Sequence, residues 1–191
     1  MLTSNRHVLT ALVINEPGVL ANVAGMFAAR GFNIDSLVVG RTENPDISRM
    51  TLVVVGDSNV VEQIHKQLAK LVPVQSVRDL NTTDFVERDL ALVRVNVDAK
   101  GRRELMDLAE SFRARVVDVA PDSMLVEIAG TEEKLQAFLD LVEPMGIAEM
   151  ARTGVIATTR GVQRQRGVGG EVVAKRVRSL DGGPAEALPP S

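Results

Sequence analysis

One succession of hydrophobic periodicities occurs twice along this 191-residue chain, and a chain with that repeat has few ways to fold. "VLTALVI" (8–14) is an apolar run of strand length. In "VLANVAGMFAAR" (19–30), Leu20, Val23, Ala24 and Phe27 recur at helical spacing, and Gly31 stands where a left-handed residue ends a helix. "NIDSLVVGR" (33–41) and "SRMTLVVVG" (48–56) read as strands joined by the polar turn "TENPD". A second helix is expected over 59–71, with Asn59 and Glu62 spaced as a capping pair and Val61, Ile64, Leu68 and Leu71 inward. Pro73 ends it, and "VQSVRDL" supplies a last strand. The order is βαββαβ.

The order restarts at residue 90. "LALVRVNV" (90–97) is a strand, and the following helix aligns Leu105, Leu108, Ala109 and Phe112. "RVVDVA" and "MLVEIAG" form a hairpin pattern around Pro121, Asp122 and Ser123. Thr131 opens a helix with Leu135, Phe138, Leu139 and Val142 inward, and "IAEMARTGVIA" closes the unit. The expectation is an α+β chain of two ferredoxin-like domains, 1–80 and 90–160, joined by the polar linker 81–89. The Gly- and Pro-rich stretch 161–191 has too little apolar surface to order itself and reads as a flexible tail, dispensable for ligand binding.

Each such domain packs helices on one sheet face only. Yet in 48–56 both Met50, Leu52, Val54 and the alternate Thr51, Val53, Val55 are largely apolar, and 34–41 behaves alike. A monomer would expose one of those faces, which predicts an oligomer, most simply a twofold dimer. RNA-recognition domains share the βαββαβ order, but they need aromatics on the central strands and a basic face. With 3% aromatic residues and a net charge of −3, this chain has neither, and no nucleic-acid partner is expected.

Catalytic equipment is sparse. There is no cysteine, and His7 and His65 lie far apart without a carboxylate or serine at a telling spacing, His65 reading as a solvated helix residue. No metal site and no catalytic residue is expected. No run reaches the ~18 apolar residues of a membrane helix. The run Val8–Ile14 ends in Asn-Glu-Pro-Gly rather than a small-residue cleavage site, so the expected location is the cytoplasm.

"NEPGVL" (15–20) stands where the first strand hands over to the first helix. In one reading Asn15 caps the helix and Pro17-Gly18 makes the turn. In the other, the amides of Gly18, Val19 and Leu20 face a ligand carboxylate at the positive end of the helix dipole. Gly18 then permits close approach, Asn15 serves a zwitterion, and Leu20 with Ile34 lines an apolar slot. The corresponding corner of the second repeat, "VDAKGRREL", has neither Asn nor Pro, so the fold does not require them there. This favours binding in the first half only.

"NEPGVLANVAGMFAARGFNIDSL", "SRMTLVVVG", "QIHKQLAKLVPV" and "ARTGVIATTRG" closely resemble the regulatory small subunits of acetohydroxyacid synthase, also called acetolactate synthase, over about residues 6–161. The resemblance implies an N-terminal ACT domain, a homodimer formed through it, and binding of valine or a related branched-chain amino acid. It further implies a separate catalytic large subunit, which the chain activates and subjects to feedback inhibition. Thiamine diphosphate, Mg²⁺ and FAD would belong to that partner, with no cofactor in this chain. The family's effector positions fall on Asn15, Gly18, Asn33 and Ile34, while Pro17 is read as structural. The alternative implication is a free-standing ACT module sensing an amino acid for another enzyme.

Overall fold

The computed structural model describes residues 6–161, so the stretch read as a flexible tail lies, beyond Gly161, outside the described residues. The first unit runs β1 (Arg6–Ile14), α1 (Val19–Ala28), β2 (Ser36–Arg41), β3 (Ile47–Val55), α2 (Ser58–Leu68) and β4 (Val74–Asp79). Its antiparallel sheet has the order β2-β3-β1-β4, which leaves β2 at an edge. The second unit runs β5 (Phe85–Asn96), α3 (Ala99–Ser111), β6 (Arg115–Val119), β7 (Ser123–Gly130), α4 (Glu132–Val142) and β8 (Ile147–Arg152), followed by β9 (Ile156–Thr159). Its order, β6-β7-β5-β8, repeats the first topology. Two ferredoxin-like βαββαβ units are therefore present.

Each unit buries its helices on one sheet face. In the first, Leu9, Met50 and Leu52 meet Phe27, Ile64 and Leu68; in the second, Val93, Val126 and Ile128 meet Leu105, Leu135 and Phe138. The inward stripe of α1 is Val19, Val23, Met26 and Phe27, whereas Leu20 and Ala24, expected inward, are exposed. The helix is apolar nearly all round, so its periodicity fits two stripes, and the sheet selects one. Gly31 does end the helix in the left-handed region (φ 66°), with the Phe32 amide returning to the Phe27 carbonyl at 3.1 Å. In α2 the cap is Asp57, accepting from the Val60 amide at 2.9 Å, and not the expected Asn59 with Glu62. His65 is half-buried, with Nε2 3.2 Å from the Val77 carbonyl, rather than solvated.

The junction between the units departs most from expectation. Of the stretch read as linker, residues 85–89 are strand, because β5 begins at Phe85. The first four residues of β5 pair with β9, and the rest pair with β7 and β8. The closing strand expected over 147–157 is thus two strands, β8 and β9. Its register against β5 slips by one residue between Ala91↔Arg152 and Arg88↔Ile156.

That ribbon folds against the helix-free face of the first sheet. Val8 and Val53, both fully buried, pack with Leu80, Val155, Ala157 and Phe85. Arg6 bridges Glu87 at 3.1 Å and Glu132 at 3.0 Å, while Asn81 accepts from the Val8 amide at 2.8 Å and donates to the Arg6 carbonyl at 3.0 Å. The apolar second face that pointed to an obligate oligomer is therefore covered in part by the chain itself. The outer face of the second sheet instead carries cross-strand ion pairs, Arg94 with Asp118 and Arg115 with Glu127.

Gly154 is the tightest point of this junction. It sits at φ 81°, and a Cβ there would lie 2.7 Å from Ser36 Oγ and 2.9 Å from a Val38 methyl carbon. Both the backbone conformation and the approach to β2 require glycine. Gly154→Ala should cost about 2 kcal/mol, from left-handed strain plus overpacking. Urea unfolding at fixed protein concentration would register it as a lower midpoint, and an unchanged midpoint would show that the units tolerate separation here.

Candidate functional site

Helices leave their first amides without intrahelical acceptors, and a side chain usually supplies one. In this chain α2, α3 and α4 follow that rule through Asp57, Asp98 and Thr131. Helix α1 does not. Its N-cap is Gly18, in the left-handed region at φ 85°, with no side-chain cap. Among the described residues the amides of Gly18, Leu20 and Ala21 meet no acceptor, and Val19 reaches the Glu16 carbonyl only at 3.5 Å. A Cβ on Gly18 would meet nothing within 4 Å. Three donors at a positive helix end thus open onto free space.

The equivalent corner of the second unit shows what such an end attracts. There Asp98 places its carboxylate on the amides of Lys100 (3.0 Å) and Gly101 (2.7 Å). The Gly101 hydrogen bond, more than any other influence, holds the Asp98 carboxyl below its ordinary range. The chain supplies its own carboxylate to α3 and none to α1. Within "VDAKGRREL" the signal for this cap is Asp98, an aspartate directly before a helical run.

Of the two roles expected of Asn15, the cap of α1 is not what the structure shows. Its side chain ties the turn after β1 to the β2–β3 hairpin. Nδ2 donates to the Pro45 carbonyl at 2.9 Å, Oδ1 accepts from the Ser48 hydroxyl at 3.1 Å, and the Asn15 amide donates to the Asp46 carbonyl at 2.8 Å. The residue is exposed, and one Nδ2 hydrogen and one Oδ1 lone pair lie beyond these bonds. Val19 is buried, so it offers only its backbone, whereas Leu20 is 48% exposed and offers its side chain.

Asn33 and Ile34 lie elsewhere. They precede β2 rather than forming part of it; Asn33 is exposed, and Ile34 is half-buried against the first core. The Asn15 turn borders the opposite end of the sheet, where Ile14 pairs with Ile47 and Ser48 with Arg41. The six residues of β2 separate the two groups by about 20 Å at ~3.3 Å per residue. One chain therefore does not bring all the expected effector residues together.

Among the described residues no helix is long and apolar enough to cross a membrane, and no three His, Cys, Asp or Glu side chains gather as metal ligands would.

Comparison with known proteins bears on both units. A family model described as the AHAS small subunit-like ACT domain matches residues 9–76, and one described as the small subunit of acetolactate synthase matches residues 88–161. The probable acetolactate synthase small subunit of Archaeoglobus fulgidus is 52% identical over 156 residues, 82% of this chain and 98% of that protein. The acetolactate synthase small subunit of Mycolicibacterium smegmatis is 47% identical over 163 residues, 85% of this chain and 94% of that protein. Among solved structures, the acetolactate synthase small subunit of Thermotoga maritima superposes with a TM-score of 0.76 at 41% identity, covering 82% of this chain and 98% of that one. Since both units match models of one family and relatives align over nearly their whole length, the chain belongs to the family of acetolactate synthase small subunits, the regulatory subunits of that enzyme.

Proposed function

We propose that this chain activates a separate catalytic large subunit of acetolactate synthase and subjects it to feedback inhibition by valine or a related branched-chain amino acid. It has no synthase activity of its own in this reading. The thiamine diphosphate, Mg²⁺ and FAD belong to the catalytic subunit, and the complex works in the cytoplasm.

The observation that carries the effector reading is the first turn of α1, whose amides have no side-chain acceptor while α3 holds the Asp98 carboxylate in the equivalent place. A free amino acid supplies the missing carboxylate. Its ammonium group requires acceptors, for which the remaining capacity of Asn15 and the exposed Asn33 are suited. Its branched side chain fits between Leu20 and Ile34.

Asn33 and Ile34 reach that turn only from a second copy. The edge strand β2 is unpaired on its outer side among the described residues. Two such edges related by a twofold axis pair antiparallel, which sets the start of one β2 beside the end of the other. The Asn33–Ile34 end of one protomer then approaches the Asn15–Leu20 end of its partner, and each dimer holds two equivalent sites.

Titrating the purified chain into the purified catalytic subunit tests the regulatory reading. Activity should rise with added chain until a complex saturates, and valine should then lower it. Acetolactate formed by the chain alone, or a catalytic subunit indifferent to it, would overturn the proposal.

A further inference from the structure

The helix-free face of the first sheet is not wholly covered by the β5–β9 ribbon. Between them lies a cleft of about 330 Å³, with Arg49 on that face of the sheet, Arg41 at the end of the edge strand β2 and Arg88 on the ribbon side, around Val38, Val86 and Ile156. Gly40 forms part of its wall, where a Cβ would meet nothing within 4 Å, so the sheet is left bare beneath the arginines.

No carboxylate stands among the residues that line this cleft beside its arginines. Arg6, Arg94, Arg115, Arg152 and Lys66 each bridge a carboxylate. Among the described residues Arg41, Arg49 and Arg88 bridge none, and Arg88 instead donates to the Glu87 carbonyl at 2.7 Å. Three arginines lining one small cleft concentrate positive charge there, in a chain whose net charge is −3. An anion between them offsets that charge, and the planar guanidinium fork matches a carboxylate best.

The rest of the lining narrows the ligand. Ile156 is 54% exposed beside the arginines, and Val86 is half-buried, so the anion carries an aliphatic neighbour. No aromatic ring lines the cleft, which gives a nucleotide base nothing to stack on. Its volume suits a few side chains, and Arg41 and Arg88 stand exposed at its rim, accessible to a large partner.

We propose that this cleft docks an acidic segment of the catalytic subunit, with its carboxylates on Arg41, Arg49 and Arg88 and an adjoining aliphatic side chain on Ile156 and Val86. The inference rests on the regulatory reading above and assigns that reading its contact surface. It also places the grip next to the effector turn. Ser48, whose hydroxyl holds Asn15, is the neighbour of Arg49 and the register partner of Arg41. A change in the turn therefore reaches the docking arginines within one residue.

The test uses the full chain, the purified catalytic subunit and the double variant Arg41→Glu/Arg88→Glu, since both residues are exposed. Calorimetry should show binding to the catalytic subunit weakened about tenfold or more, in a chain whose thermal melt matches the wild type's. Added salt should weaken the wild-type complex steeply and the variant complex little. Arg41→Lys/Arg88→Lys, which keeps the charge and loses the fork, should fall between. A double variant that binds as tightly as the wild type overturns the docking site alone, leaving the regulatory reading intact. Absence of any complex with the wild-type chain overturns both. Pyrophosphate binding to the chain, lost in a variant whose grip on the catalytic subunit is undiminished, makes the cleft a small-anion site and overturns the docking proposal.

Discussion

Gly18→Asp should weaken feedback by valine more than tenfold while leaving activation of the catalytic subunit nearly intact. The new carboxylate would stand at the N-terminus of α1, as Asp98 does at α3, where it reaches the amides of Lys100 and Gly101. The introduced side chain would set a negative charge beside the first amides of α1 and against the effector's own carboxylate. Losing one charge-assisted hydrogen bond costs roughly 1.5–3 kcal/mol, which is at least tenfold in affinity. The fold should survive the change. The position faces open space, and although φ 85° disfavours a side chain, aspartate is among the residues that tolerate it best. Valine titration by calorimetry, beside a thermal melt, separates lost binding from lost folding. Wild-type valine affinity in a folded Gly18→Asp chain would mean that the turn only reverses the chain.

Asn15→Ala provides a contrasting case. Asn15 holds the hairpin through Pro45 and Ser48, so its loss acts on the position of the turn as well as on any ligand. Feedback should weaken here too, with a modest loss of stability of about 1 kcal/mol, typical of a net hydrogen bond. The two variants thus differ in their melts even where they agree in valine response.

Much of this architecture was legible because its signals were local. The stripe Leu135, Phe138, Leu139 and Val142 and the cap Thr131 of α4 are where periodicity puts them. The edge place of β2 follows from the element order alone. In α1 apolar residues on every side made Leu20 and Ala24 as plausible inward as Val19 and Met26, and only the sheet beneath decides. The junction was illegible for another reason. "NTTDFVERD" is polar enough to read as linker, and the partner that makes its second half a strand, β9, lies some 70 residues away in sequence. Tertiary pairing overrides composition there. The effector turn was legible as an unusual corner, but the distance of Asn33 and Ile34 from it was not, since their separation depends on which way β2 runs in the sheet.

Arg152→Met should destabilise the chain by about 3 kcal/mol, more than Asp89→Asn, although the two residues share one ion pair. The asymmetry comes from burial. The Asp89 side chain is 1% exposed and that of Arg152 is 29% exposed. Asp89 lies where β5 passes from its pairing with β8 to its pairing with β9, and Arg152 Nε donates to it at 3.1 Å, with a second bond from the same guanidinium. Thr153 Oγ1 adds a longer contact at 3.3 Å. Removing Arg152 leaves a charged carboxylate out of water with only that hydroxyl near it. Removing the charge of Asp89 instead frees a guanidinium that already reaches solvent, at a cost of about 1 kcal/mol. The double variant Asp89→Asn/Arg152→Met should therefore be more stable than Arg152→Met alone, since neutralising the carboxylate removes most of the penalty. Urea unfolding of the four chains at one protein concentration gives the cycle directly. Equal losses in the two single variants would mean that water reaches Asp89 and that the strand exchange at β5 does not depend on this pair.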